Sequence, residues 1–144
     1  MPIARPLNDC DGHKEFNLMN LATIILLVLA LYAVQIFLQE TSRFRFDLWA
    51  IMGNRDSPPE ASVLAGRLDR AKNNMLEALP FFLGLALLAI AKGNDAGQPT
   101  NGALIFLLAR LAYVPAYMSG VPVLRSLIWL AANGGLVMMA LPQI

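Results

Sequence analysis

The chain is poor in thiol and imidazole chemistry. It has one cysteine, Cys10, and one histidine, His13. A single cysteine excludes an internal disulfide framework and any cysteine-based metal cluster, and a lone histidine adds no metal set. Both residues fall in a polar N-terminal segment, where the plain reading is a solvated tail. Charge is scarce as well. The net charge is +1 and only 15% of residues are charged, so no global field points to nucleic acid and the charges act through their placement. What the chain has instead is apolar surface. Its hydrophobic share of 57% exceeds the roughly 45–50% of a soluble domain, and its mean hydropathy is +0.55. At 144 residues it is long enough for one domain, 1–144, whose core could not hide that much in water.

The apolar residues are gathered into runs. The first, from Leu18 to Leu38, carries no charge, and at about 1.5 Å per residue it reaches roughly 31 Å, enough to cross a bilayer. It is too long for a signal-peptide core and no small-residue cleavage site follows it, so it reads as a retained span. Further runs cover about 75–91, 103–118 and 121–141. A Gly- and Asn-rich loop separates the second from the third, and Gly120 with Pro122 separates the third from the fourth. The sequence therefore predicts an all-α integral membrane four-helix bundle. Arg43, Arg45, Arg55, Arg67, Arg70 and Lys72 precede the second span, whereas the loop after it offers only Lys92. The positive-inside rule then puts the first and third connections in the cytoplasm and both termini outside; the inverted arrangement is the alternative. Ser57-Pro58-Pro59-Glu60 combines a capping serine, a proline at the first helical position and a glutamate at the capping-box position, predicting that the second helix starts near Ser57.

Polar residues inside the runs are few and ordered. On the second helix Arg67, Arg70, Asn74 and Glu77 recur at spacings of three, four and three, which confines them to an arc of roughly 80°. Asp69 and Lys72 lie on another face and suit an ordinary i,i+3 contact. Glu77 lies within an apolar run, where an ionised carboxylate needs a cavity or a cation. On the third helix Arg110, Tyr113 and Tyr117 form a second stripe. Arg110 is too deep to snorkel easily, so it is expected to pair with Glu77, the one acid at its depth, either as a structural tie or within a site. The tyrosines alone would suit an interfacial belt; sharing the Arg110 face favours a site. Arg125 and Ser126 stand near the start of the fourth helix, where a cation opposes the helix dipole unless both address an anion. A snorkelling anchor at the span end is the plainer reading of Arg125.

The series Arg67-Leu68-Asp69-Arg70-Ala71-Lys72-Asn73-Asn74-Met75-Leu76-Glu77-Ala78-Leu79-Pro80, followed by Ala109-Arg110-Leu111-Ala112-Tyr113-Val114-Pro115-Ala116-Tyr117, resembles the MAPEG superfamily of membrane-associated proteins in eicosanoid and glutathione metabolism. The resemblance spans about residues 18 to 141. It implies a homotrimer with glutathione held between neighbouring subunits at the cytoplasmic side. Carried over by motif, Arg70, Asn74, Glu77, Tyr113 and Tyr117 match glutathione-contacting positions. Arg67 and Arg110 match arginines of a more structural role. Arg125 looks like the arginine near the sulfur, with Tyr117 or Ser126 offering it a further hydrogen bond. One departure stands out: some members use an arginine late in the first span, where this chain has Gln35 and Gln39.

The implied activity is a glutathione-dependent transferase or peroxidase acting on a lipophilic electrophile that arrives from the bilayer. The superfamily also contains the five-lipoxygenase-activating protein, so the alternative is a non-catalytic lipid-binding scaffold. Short loops and the lack of a eukaryotic retention signal lean towards a bacterial inner membrane.

Overall fold

The computed structural model describes residues 19–44, 47, 49, 52 and 62–144. Cys10, His13, Arg5, Lys14, Arg45, Arg55 and the segment Ser57–Glu60 lie outside the described residues. In chain order the structure contains α1 (Leu21–Arg43), α2 (Val63–Ala91), α3 (Gln98–Ser119) and α4 (Pro122–Ala140), then a 3-10 turn at Leu141–Gln143. No strand occurs among the described residues. All four helices are long and apolar enough to cross a bilayer. The chain is an all-α, multi-pass integral membrane protein.

Local chemistry sets each helix end. Asn20 caps α1, its Oδ1 accepting the Thr23 N–H at 2.8 Å. The helix runs on past the apolar stretch to Arg43, because polar residues continue its inward face. Gln35, Gln39 and Thr41 are all buried, and the Thr41 hydroxyl donates back to the Phe37 carbonyl at 2.8 Å.

The start of α2 departs from expectation. It is capped by Ser62, whose extended backbone precedes Val63 and whose Oγ accepts the Ala65 N–H at 3.1 Å. A serine directly ahead of the first turn satisfies an orphan donor there; the helix therefore begins at Val63 rather than near Ser57. Pro80 lies within α2 without ending it.

The turn between α3 and α4 is as sharp as the sequence suggests. Gly120 takes the left-handed conformation at φ 76° as the cap of α3, and Pro122 opens α4. These two helices pack most extensively, because Gly102 and Gly135 bring their backbones together. A Cβ built on Gly102 would stand 2.6 Å from the Gly135 carbonyl oxygen, and one on Gly135 would stand 2.7 Å from the Gly102 oxygen.

The core runs along the bundle axis through Ile24, Val28, Met75, Phe82, Phe106 and Met139. The Phe82 and Phe106 rings stack with centroids 4.7 Å apart. Large apolar side chains such as Leu26, Phe37, Phe81 and Leu130 remain exposed on the outside, the arrangement suited to lipid rather than water. At the end opposite the α3–α4 corner, the loop after α2 is tied to the C-terminal turn. Lys92 Nζ donates to the Gln143 carbonyl, and Asn94 donates to that of Pro142 at 3.1 Å.

Candidate functional site

The four polar residues of α2 divide into two edges. With about 100° per residue, Arg67 and Asn74 share the edge nearer the buried face of Ala71, Met75 and Phe82, while Arg70 and Glu77 share the edge further out. Burial follows that geometry: Arg67 and Asn74 are half-buried, whereas Arg70 and Glu77 are exposed.

This division decides the partner of Arg110. Its side chain is 1% exposed, and its Nη1 donates to Asn74 Oδ1 at 2.5 Å. The guanidinium also lies over the rings of Phe106 and Tyr113, 5.1 and 5.6 Å from their centroids. The expected Arg110–Glu77 ion pair is absent among the described residues. The reason is angular: Glu77 is one turn from Asn74 but on the outer edge of the stripe, out of line with a residue buried between α2 and α3. The tie is therefore a charge-assisted hydrogen bond to a neutral amide. Asp69 and Lys72 meet as the spacing predicts, at 3.0 Å, with Asn73 also donating to Asp69 at 3.2 Å.

Arg67 faces the corner between α3 and α4. Its Nη1 donates to the Met118 carbonyl at 2.7 Å, so it satisfies one of the last acceptors of α3. Arg70, one turn further on, lies over the Tyr117 ring at 5.9 Å, and Arg125 lies over the same ring at 4.8 Å. Tyr117 meets Tyr113 edge to face at 5.4 Å, and both rings are buried. Tyr117 thus brings a cation from α2 and a cation from α4 to one place. Neither Arg70 nor Arg125 is ion-paired among the described residues.

Two hollows adjoin these groups. One, of about 340 Å³, is lined by Tyr113, Arg125, Ser126, Trp129 and Leu130. The other, of about 390 Å³, runs between α2 and α4, with Asn74, Glu77 and Asn133 as its polar lining and Phe81, Trp129 and Val137 among its apolar walls. Ser126 has its hydroxyl hydrogen committed to the Pro122 carbonyl at 3.0 Å, so towards the hollow it offers lone pairs rather than a donor. At the start of α4 no side chain caps the first turn, which leaves backbone N–H groups beside Arg125 without a side-chain acceptor.

Trp129 lines both hollows and was not among the residues the sequence singled out. With Arg125 and Asn133 it forms an i, i+4, i+8 row, a spacing that would have found it. Gln35 and Gln39 are 6% and 3% exposed, turned into the bundle rather than outward, and Gln35 Oε1 has no donor among the described residues. No group of three or more His, Cys, Asp or Glu side chains suited to a metal occurs among the described residues.

The profile of the MAPEG family matches residues 19–142, which takes in every described residue of the four helices. The chain belongs to the MAPEG family. No curated protein and no solved structure matches it. Membership places this MAPEG chain among membrane proteins associated with glutathione and eicosanoid metabolism. Of the cationic pair around Tyr117, Arg70 lies on α2 within the motif, whereas Arg125 lies on α4 outside it.

Proposed function

We propose that this protein is a glutathione-dependent membrane transferase or peroxidase whose second substrate is a lipophilic electrophile. The observation that carries the reading is the convergence of Arg70 and Arg125 on Tyr117, both without an ion pair among the described residues, with Arg125 lining a hollow. Two such cations call for an anionic ligand. Glutathione, with two carboxylates and an ammonium, fits the groups present: Arg70 and Arg125 suit anionic groups, exposed Glu77 suits the ammonium, and the Asn74 amide suits a peptide group. When bound, glutathione supplies a thiol that becomes the nucleophile as its thiolate.

The chain's own part is to hold that anion. A thiol that ordinarily ionises near pH 8.5 is mostly thiolate at neutral pH only if the anion gains roughly 2.7 kcal/mol. An arginine about 4 Å away contributes on the order of 4 kcal/mol at an effective dielectric near 20. The uncapped first turn of α4 adds up to about 2 kcal/mol. Tyr117 lies under the Arg125 guanidinium and orients it rather than replaces it, and Ser126, its hydroxyl hydrogen given to Pro122, has no donor left for the sulfur. The apolar wall of the α2–α4 hollow, with Phe81, Leu85 and Val137, suits the hydrocarbon of the electrophile.

Glu77 is exposed midway along a helix that crosses the bilayer. A carboxylate facing lipid there costs about 2.5–3.5 kcal/mol on insertion scales. A homotrimer in which a neighbouring subunit covers this edge, with glutathione between subunits, removes that cost. The site end of the bundle, with Arg43, Arg67 and Arg70, faces the cytoplasm, and both termini lie outside, in an inner membrane of bacterial type.

Titrating the detergent-purified protein with glutathione while following thiolate absorbance tests the proposal. Saturable absorbance at neutral pH supports it. A flat titration removes it and leaves the second reading, a non-catalytic lipid-binding scaffold, which the mostly apolar α2–α4 hollow favours.

A further inference from the structure

Arg67 and Gly120 form a contact that the glutathione reading does not use. The guanidinium of Arg67 reaches from α2 across to the corner that ends α3, donating to the Met118 carbonyl at 2.7 Å. It also lies flat against the backbone of Gly120. A Cβ built there would come within 2.7 Å of Nη2 and 3.1 Å of Nη1, so the left-handed glycine both makes the turn and leaves the space the guanidinium fills. The same corner carries on directly into α4. There Arg125 N–H makes the first helical bond, to the Val121 carbonyl at 3.3 Å, and the Arg125 guanidinium turns back over Tyr117.

We infer that Arg67 is a positioning residue: through Gly120 it fixes the α3–α4 corner and thereby the reach of Arg125 towards the bound thiol. The inference rests on the glutathione reading and adds to it. Arg67 stands on the same helix as Arg70, Asn74 and Glu77, so one side chain sets the distance between the α2 groups that hold the peptide and the α4 group that faces its sulfur. Arg67 itself is spent on a backbone carbonyl and a glycine, not on the ligand. A retreat of the Arg125 guanidinium from about 4 to about 6 Å weakens the thiol's ionisation constant by about tenfold at an effective dielectric near 20.

Two substitutions break the contact from opposite sides. Arg67→Gln removes the fork. Gly120→Ala crowds the whole guanidinium, with Nη2 at 2.7 Å and Cζ and Nη1 at 3.1 Å from the new Cβ, and Gly93→Ala serves as the matched control, because Gly93 is also left-handed, at φ 65°, but a Cβ there meets nothing within 4 Å. The readouts are the pH midpoint of bound-glutathione thiolate absorbance and, separately, glutathione affinity by calorimetry. Arg67→Gln and Gly120→Ala are each expected to raise the midpoint by about one pH unit, the tenfold loss above, with affinity changed less than about threefold. Gly93→Ala leaves the midpoint in place. Arg67→Lys, which can still donate to Met118, falls between. The double variant is expected to be no worse than either single one, as for two changes to one contact.

A midpoint unmoved in Arg67→Gln overturns the inference, as does an additive double variant. Lost affinity with a fixed midpoint also overturns it, since Arg67 would then hold the ligand directly. If Arg67→Gln does not fold, Gly120→Ala decides by the same midpoint. Absence of any thiolate in the unaltered protein refutes the glutathione reading and the inference with it; a normal thiolate there with unmoved variants refutes the inference alone.

Discussion

At the scale of single residues, polar groups in the membrane are sorted by angle rather than by depth. Arg110 and Glu77 lie at similar depth, and charge alone would join them. The outer-edge position of Glu77 leaves Asn74 as the acceptor for Arg110. The motif carried the residues together but not their pairing, because pairing depends on how α2 is rotated against α3, and rotation is a product of packing. Glu77 is therefore available to a ligand. Glu77→Gln is expected to weaken glutathione binding by about tenfold, the size of one charge-assisted hydrogen bond, while Arg110 keeps its tie to Asn74 and the fold holds. Calorimetry alongside thermal unfolding checks this; unchanged affinity would leave Glu77 without a role at the site.

Arg125 carries a sharper expectation. It lies 4.8 Å from the Tyr117 ring centroid beside an uncapped helix start, and no neutral neighbour supplies a comparable field. A hydrogen bond from Tyr117 contributes about 1–3 kcal/mol, near the roughly 2.7 kcal/mol required only at its upper end. Arg125→Ala is therefore expected to abolish thiolate absorbance near neutral pH and most conjugation, while glutathione still binds through Arg70, Asn74 and Glu77. An undiminished thiolate signal in that variant would refute the assignment and pass the role to another cation.

At the scale of helices, the four spans were legible because apolar runs of that length have no other use in a chain so short. Their ends were less so. The sequence pointed to Ser57 as the cap of α2, whereas the cap is Ser62, whose extended backbone and Oγ meet the open first turn. The contact between α3 and α4 was not legible either. Gly102 and Gly135 are ordinary glycines in sequence, and their closeness appears only when the two helices cross. That crossing yields a test with an internal control. Gly102→Ala forces a methyl to within 2.6 Å of a backbone oxygen, which no rotamer change relieves. It is expected to cost about 1–3 kcal/mol of stability, the usual penalty of overpacking. Gly134, adjacent to Gly135, has nothing within 4 Å of a built Cβ, so Gly134→Ala is expected to be neutral or slightly stabilising. Unfolding of both variants in mixed detergent compares them; equal stability would show that the α3–α4 approach is looser than described.

At the scale of the whole molecule, the up-and-down arrangement puts the start of α2, the α3–α4 corner and Arg125 at one end of the bundle, and the tied loop after α2 at the other. The charge distribution is what supports the proposed sidedness. Arg43, Arg67, Arg70 and Lys72 are at the first end, with Arg45 and Arg55 between them in sequence, against Lys92 at the second. Glutathione is a cytoplasmic thiol, so sidedness and function stand together: a site end turned outward would meet little ligand. Cys10, the only thiol, reports on this without any engineered residue. One span, α1, separates the N-terminal tail from the site end, so Cys10 is expected outside. A membrane-impermeant maleimide should label it in right-side-out spheroplasts, and Cys10→Ser should remove the signal. In inside-out vesicles the same reagent should reach it only after detergent is added. Labelling in the reverse pattern would turn the molecule over, place Arg70 and Arg125 on the outer side, and oblige the ligand of that cationic pair to be an anion of the outer compartment.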